Sequence, residues 1–541
     1  MDKTLLIDPR DNVVVALQPL APGAPLWGGL AAREAIPAKH KATLFDLAPG
    51  EAVRMYGVTV GKATKPIRAG ERISTENIVH EADAFGARVP AGAWTMPDVG
   101  RWAGKTFRGY RRVNGTVGTA NHWIVLPMVF CENRNLEVIR QAMRQIPGLA
   151  PRFGYERFVL DLVRRHRAGE PIGDASAGPE TPAEERLFPN VDGVKFLIHQ
   201  MGCGGTRGDA RSLCALLAGY ATHANVAGVT VLSLGCQNAE VRMLEEEIAK
   251  RDPAFSKPFQ VLVQQGYPSE EALISDAIRH IFNGLVTINE FRREPASLDE
   301  LCLGMECGGS DGFSGISANP VLGQVSDYIV ALGGKSVLAE FPELCGVEQE
   351  LINRSIDDAT GARFAKLMRQ YEAWAAAVGA SLSMNPSPGN IADGLITDAI
   401  KSAGAAKKGG TSPVVDVLDY TEPVLKPGLN LLNTPGNDAE CTTALAGSGS
   451  NVILFTTGLG TPMGNPVAPT LKISTNTELA QRMSDIIDFD AGPVITGGAS
   501  IADLGGDLLD LVIATASGEY VPKSVRLGQD DFIPWKRGVS L

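Results

Sequence analysis

Six stretches of this sequence end an apolar run in glycine or a short turn, followed by side chains able to do chemistry. FLIHQMGCGGTRGD carries His199, Cys203 and Thr206, and LSLGCQN carries Cys236. GMECGGSDGFSG carries Glu306, Cys307, Ser310, Asp311 and Ser314, and VLAEFPE carries Glu340 and Glu343. MVFCEN carries Cys131 at its strand end and FTTGLGTPMG contains Thr461. Thiolates bind metals or act as nucleophiles, and carboxylates move protons. One cysteine alone reads as a small buried hydrophobe. Four at equivalent strand ends (Cys131, Cys203, Cys236 and Cys307) point instead to metal or reactive chemistry. Cys214 falls in a helical stretch and Cys302 in a strand, where packing suffices, and Cys345 and Cys441 carry no clear signal. No C-x-x-C pair is present, and no disulfide framework is expected.

Other residues have plainer readings. His40, between Lys39 and Lys41, reads by itself as a solvated loop histidine. His166 sits in RRHR on a polar helix face, and His223 and His280 fall near helix ends. GLGTPMG is one residue out of step with the dinucleotide fingerprint and lacks its βαβ context, and GGSDGFSG lacks G-K-[ST]. Nucleotide binding is therefore not expected.

The elements that must position these blocks follow from the apolar pattern. Residues 1–88 read as a small β-rich domain, with NVVVALQPL strand-like and AVRMYGVTVGKATKPI alternating. Residues 89–105, rich in Pro and Gly, read as a linker. From there on, continuous apolar strands alternate with helices. The strands are centred on WIVLPMVF, GVKFLIH, GVTVLSLG, FQVLVQ, LCLGMEC, KSVLAEF, VVDVL, GLNLLN and NVILFTT. That alternation predicts parallel, Rossmann-like α/β sheets covered on both faces, with ligands at the strand C-terminal ends. Two catalytic α/β domains are expected, over residues 106–295 and 296–541, with an exposed loop over 173–189.

Composition narrows the class. The chain has 541 residues, 44% apolar and 21% charged, so it is long enough for large cores and is not dominated by disorder. Its net charge of −11 lacks the basic field that nucleic acid requires. No apolar run approaches membrane-span length, and MDKTLLIDPRDN has no signal-peptide core, so a cytoplasmic location is expected.

Taken together and in order, the blocks resemble the altronate/galactarate dehydratase family of sugar-acid hydro-lyases. IPAKHKATLFDLAPGEAVRMYGVTVGKA is similar to its SAF-type β domain, and FRGYRRVNGTVGTANHWIVLPMVFC to the opening of its catalytic part. FPNVDGVKFLIHQMGCG, AGVTVLSLGCQN, GMECGGSDGFSGISANPVLG, NPSPGN, NTPGND, FTTGLGTPMG, PTLKISTN and IDFDAG follow. YRRVNG, GGSDGFSGI and the GVSL ending are nearer to the altronate-type pattern within the family.

The resemblance implies iron-dependent dehydration of an aldonic or aldaric acid to a 2-keto-3-deoxy acid. Fe(II) is the implied cofactor, and an iron–sulfur cluster is a second form it could take. Cys131, Cys203, Cys236 and Cys307 are the implied metal ligands, and His40, Lys41, Asp311 and Glu340 the catalytic candidates. Asn12, Arg112, Ser310, Thr461 and Lys472 are expected to bind a small-molecule sugar acid, in a homodimer by default. The sequence departs from the family pattern at four places. Lys39 replaces a glycine, Gln237 a carboxylate, Leu459 an arginine and Ile391 a lysine. These departures motivate two rivals: a related lyase acting on galactarate or sulfolactate, and a non-catalytic sugar-acid binder.

Overall fold

The computed structural model describes residues 3–149, 155–173 and 185–541. Most of the stretch expected to be an exposed loop, 174–184, lies outside the described residues.

The N-terminal domain is built from two small antiparallel sheets. β1 (Thr4–Leu5), β2 (Val13–Ala16) and β3 (Lys41–Thr43) form one, and β4 (Ala52–Met55), β5 (Val58–Ala63) and β6 (Ile78–Val79) form the other. Asn12 joins them, since its Nδ2 donates to Ala52 O at 2.8 Å and its Oδ1 accepts from Arg54 N at 2.7 Å. Asn12 thus ties the two sheets together.

The stretch expected to be a free linker lies along the C-terminal domain. Val89 N donates to Asn353 Oδ1, Ala91 N to Asn353 O, and Trp94 Nε1 to Thr411 Oγ1. Trp102 is buried and donates to Asp510. Proline and glycine remove regular structure from this segment, but its buried aromatic anchors it.

β7 (Thr106–Arg111) then pairs antiparallel with β8 (Val117–Gly118) and with β13 (Glu294–Ser297). Between β8 and β13 the chain builds a four-stranded parallel sheet, ordered β10-β9-β11-β12, from β9 (His122–Pro127), β10 (Gly193–Phe196), β11 (Val226–Ser233) and β12 (Phe259–Val263). β11 is buried along its whole length, as its continuous VAGVTVLS run requires. The helix Arg207–Thr222 starts where Thr206 and Asp209 form a reciprocal capping box.

The C-terminal region forms a seven-stranded parallel sheet, ordered β16-β17-β15-β14-β18-β19-β20. Its strands are β14 (Cys302–Cys307), β15 (Lys335–Leu338), β16 (Val414–Leu418), β17 (Gly428–Leu432), β18 (Val452–Thr457), β19 (Thr470–Ser474) and β20 (Phe489–Asp490). Helices Ala318–Ala331 and Ile501–Ala516 pack on one face. The other face shares a core with the four-stranded sheet, in which Leu126, Val229 and Leu217 meet Val337, Leu432 and Ile453. The α/β class with parallel sheets and an N-terminal β domain is as the sequence predicts. No described helix is long and apolar enough to cross a membrane.

Candidate active site

The C-terminal ends of β14, β15, β17 and β18 meet at one buried polar cluster. β14 delivers Glu306 and Cys307 at its last two positions. After β15 the backbone turns through Glu340 in the left-handed region (φ 65°), and the following helical turn Phe341–Leu344 carries Glu343. A glutamate in this conformation is strained, and Thr434 Oγ1 at the end of β17 holds it by accepting from Glu340 N at 2.8 Å. Cys307 Sγ and one oxygen each of Glu340 and Glu343 lie within 4.8 Å of one another.

Three lysines answer these acids. Lys408 Nζ lies 2.9 Å from Cys307 Sγ and 2.5 Å from Glu340 Oε2. Lys401 Nζ lies 2.6 Å from Glu343 Oε1 and donates to Asn385 Oδ1 at 2.7 Å. Lys472, on β19, is fully buried, its Nζ has no hydrogen-bond partner, and it stands 3.3 Å over the centre of the Phe455 ring. Asp438 begins the helix Asp438–Gly447. Its carboxylate packs so closely against Gly308 that a Cβ there would collide with Oδ2.

Burial and crowding displace the protonation equilibria. Burial, with Glu343 adding to it, raises Glu340 to about 7. Burial and the neighbouring Glu343 raise Asp438 to about 6. Burial and Glu340 push Glu306 well above the carboxylate range, and its buried oxygens have only the Cys441 thiol near them. Burial lowers Lys472 to about 7, against the pull of Asp438 and Glu306. For Lys408 burial acts downward, but Cys307 and Glu340 outweigh it and hold the ammonium charged. Acids that keep protons and a lysine that sheds one near neutrality are what proton transfer at a carbon needs.

A second group borders this cluster through the loop Gly308–Ser314. Asp311 accepts from Phe313 N, Ser314 Oγ and Thr475 Oγ1, each at 3.1 Å, and pairs with Lys39 Nζ at 3.0 Å. Lys39 adopts φ 72°, a conformation that favours glycine. Lys41 is buried, donates to Gly394 O at 2.6 Å, and is lowered to about 7 by burial. Gly394 is required there, because at φ +91° a side chain would meet Lys39 O at 2.6 Å. His40 Nε2 lies 3.1 Å from Ala392 O, and its Nδ1 has no partner. The N-terminal domain therefore seats its Lys39–Lys41 loop on the catalytic region.

The structure divides the sequence-derived set. It brings Cys307 and Glu340 together, sets Lys472 in the field of Glu306 and Asp438, and places Asp311, His40 and Lys41 in the bordering group. Ser310 is buried in the same loop, its carbonyl accepting from Asn390 Nδ2 at 2.8 Å, and Thr461 Oγ1 lies 3.3 Å from Thr457 Oγ1 beyond β18. Cys131, Cys203 and Cys236 instead follow β9, β10 and β11 of the other sheet, at least partly exposed. Among the described residues these three belong to no group of three donor atoms within 4.8 Å. The four cysteines thus divide between two sheets, Cys307 ending a strand of the seven-stranded one and the other three following strands of the four-stranded one. Arg112 is also removed from this chemistry. Its guanidinium donates to Ala224 O at 2.6 Å, Asn121 Oδ1 at 3.0 Å and Ala120 O at 3.1 Å, so it braces the β7–β8 turn.

Sequence reasoning passed over Lys401, Lys408 and Asp438. Asp438 sits in the NTPGND block, but nothing in the spacing of Lys401 and Lys408 marks them. Of the departures, Gln237 accepts from Gly235 N and donates to Ser233 Oγ, Ile391 packs against the core, and Leu459 is half exposed.

Comparison with known proteins places the chain in a family. Residues 2–81 match the altronate/galactarate dehydratase SAF domain, 109–289 the second domain of D-galactarate dehydratase/altronate hydrolase, and 298–540 the D-galactarate/altronate dehydratase C-terminal domain. The altronate dehydratase of Escherichia coli is 36% identical over 513 residues, 94% of each chain. This chain belongs to the altronate/galactarate dehydratase family. The altronate dehydratase of Bacillus subtilis is 32% identical over 96% of each chain. The L-threo-forming galactarate dehydratase of E. coli is 30% identical over 94% of this chain and 92% of its own.

Proposed function

We propose that this dehydratase-family chain removes water from a sugar acid, an aldonate such as D-altronate, to give a 2-keto-3-deoxy acid, using Fe(II) held by Cys307, Glu340 and Glu343. The convergence of one sulfur and two carboxylate oxygens within 4.8 Å carries the reading. That donor set fits a divalent transition ion. Glu340 Oε1 is buried and unpartnered, and the buried oxygens of Glu306 have only the Cys441 thiol near them, which also suits a site that receives a charged group. Iron bound there would draw charge from the substrate carboxylate and a hydroxyl, acidifying the C2 proton and easing loss of the 3-hydroxyl.

The chain's own residues supply the rest. Lys472, brought to about 7 by burial, is the base for the C2 proton. Asp438, raised to about 6, carries a proton for the departing oxygen. The C2–H electron pair becomes the C2–C3 double bond, the C3–O bond breaks, and the hydroxyl leaves as water. The enol product then tautomerises to the 2-keto acid. Lys401 and Lys408 offset the carboxylate charge that an acidic protein must accommodate. The Lys39–Lys41 loop covers the site from the N-terminal domain.

The test is anaerobic purification, loading with Fe(II), and assay of a panel of aldonates, aldarates and sulfolactate. Formation of a 2-keto-3-deoxy acid from an aldonate is expected. Sulfite release from sulfolactate alone would move the activity to C–S cleavage. Tight binding of a sugar acid by iron-loaded protein without turnover would favour the non-catalytic reading that Leu459 and Ile391 suggest.

A further inference from the structure

A second group of donors lies where the N-terminal domain meets the C-terminal one. His80 follows β6, Cys345 follows the helical turn that carries Glu343, and Asp398 opens the helix Asp398–Ala405. Their ligand atoms all lie within 4.8 Å of one another. Asp398 is fully buried, and its Oδ2 has no hydrogen-bond partner. His80 Nδ1 is likewise buried and unpartnered. Beyond a hydrogen bond from the Cys345 thiol, Asp398 has only a long contact from Ser402 Oγ, 3.4 Å from its Oδ1.

An ordinary hydrogen-bonded triad would satisfy these atoms, and orphaned buried polar atoms are costly. A divalent cation would satisfy them at once. Tetrahedral zinc with ligands at 2.0–2.3 Å holds its donors about 3.6 Å apart, which the observed spacing accommodates. Thiolate, imidazole and carboxylate together form a donor set that zinc accepts, and the two anions balance its charge. His80 is part-exposed, which leaves a side for water as fourth ligand.

We propose that His80, Cys345 and Asp398 form a zinc site, completed by water, that fastens the N-terminal β domain onto the catalytic region. The surrounding contacts suit a clamp. Thr397, beside Asp398, donates to Val60 O of β5 at 2.7 Å, and Gly346, beside Cys345, faces Ala82. The site is distinct from the Cys307 cluster, sharing none of its ligands, and stands whether or not the chain is a dehydratase.

The test uses the full-length protein, stripped with a chelator and reloaded with Zn2+ or Co2+. H80A and C345S are each expected to hold one zinc equivalent fewer than the wild type, and C307S to keep the equivalent that they lose. In C307S, cobalt should give a thiolate charge-transfer band that the further substitution C345S abolishes. Zinc should raise the melting temperature of C307S by several degrees and leave that of C307S/H80A unchanged. H80A replaces a part-exposed side chain, so it keeps the test decisive if C345S folds poorly. Equal zinc content in wild type, H80A and C345S would overturn the proposal, as would a cobalt band lost only in C307S.

Discussion

Lys39 reaches out of the N-terminal domain to pair with Asp311 at 3.0 Å, and it does so from a backbone conformation that favours glycine. The left-handed region costs a non-glycine residue about 1–2 kcal/mol. The pair must offset this, and Asp311 is buried while Lys39 is one-fifth exposed. The substitutions Lys39→Ala and Lys39→Gly both remove the ammonium, but only the second relieves the backbone. Lys39→Ala is expected to lower the melting temperature more than Lys39→Gly, by the equivalent of about 1 kcal/mol. Equal melting of the two variants would show that no strain is held at this position.

Iron should follow Cys307. In C307S or E340Q, iron content measured after anaerobic loading is expected to fall at least tenfold, and turnover with it. C131S, C203S and C236S should keep their iron, because none of these thiols joins a three-donor group. Full iron in C307S with loss in C203S would move the metal to the four-stranded sheet.

Lys472 is expected to separate activity from stability. Its buried amine has no hydrogen-bond partner, so Lys472→Met removes a desolvated charge and leaves no donor or acceptor stranded. The variant should melt no lower than the wild type but lose roughly 100-fold or more in kcat, the scale of a lost general base. A large drop in melting temperature with turnover intact would make Lys472 a structural residue.

The same groups set a pH signature. Glu340, raised from 4.5 to about 7, holds a proton in the folded state that the unfolded chain has shed. Its contribution is present below about 4.5 and is lost as pH rises through 7. Lys472, lowered from 10.5 to about 7, gives up its proton earlier in the folded state. It therefore costs stability below 7, and that cost fades as pH rises towards 10.5. Urea titrations between pH 5 and 9 should show E340Q flattening the acidic side and Lys472→Met the alkaline side. Unchanged profiles in both would mean that these groups titrate normally.

Much of the architecture is legible in the sequence because buried parallel strands write themselves as unbroken apolar runs. β14, β16 and β18 start and stop within a residue of their expected positions. β19 passed unread as a strand because Thr470, Lys472 and Ser474 interrupt its apolar pattern, although all five residues are buried. Strand order is also invisible to periodicity, and it decides which strand-end blocks become neighbours. That is why Cys307 joins Glu340 while Cys131, Cys203 and Cys236 stay with the other sheet. Arg112, a substrate ligand by the family resemblance, is held by Ala224 O, Ala120 O and Asn121 Oδ1, partners that no periodicity reveals. Lys408 escaped because a lysine that spans from a glycine-rich turn to a thiol leaves no pattern in the sequence.

The pairing of β7 with β13 gives the molecule an unusual kind of unity. The chain enters and leaves its four-stranded lobe through two hydrogen-bonded neighbours, Gly109 opposite Glu294, so by connectivity that lobe is an insertion hung from one stem. Yet one apolar face of the lobe is continuous with that of the seven-stranded sheet, while its other face keeps a core of its own around Trp123, Leu136 and Ile281. What is modular along the chain is fused in the core, and the two lobes should melt in a single transition.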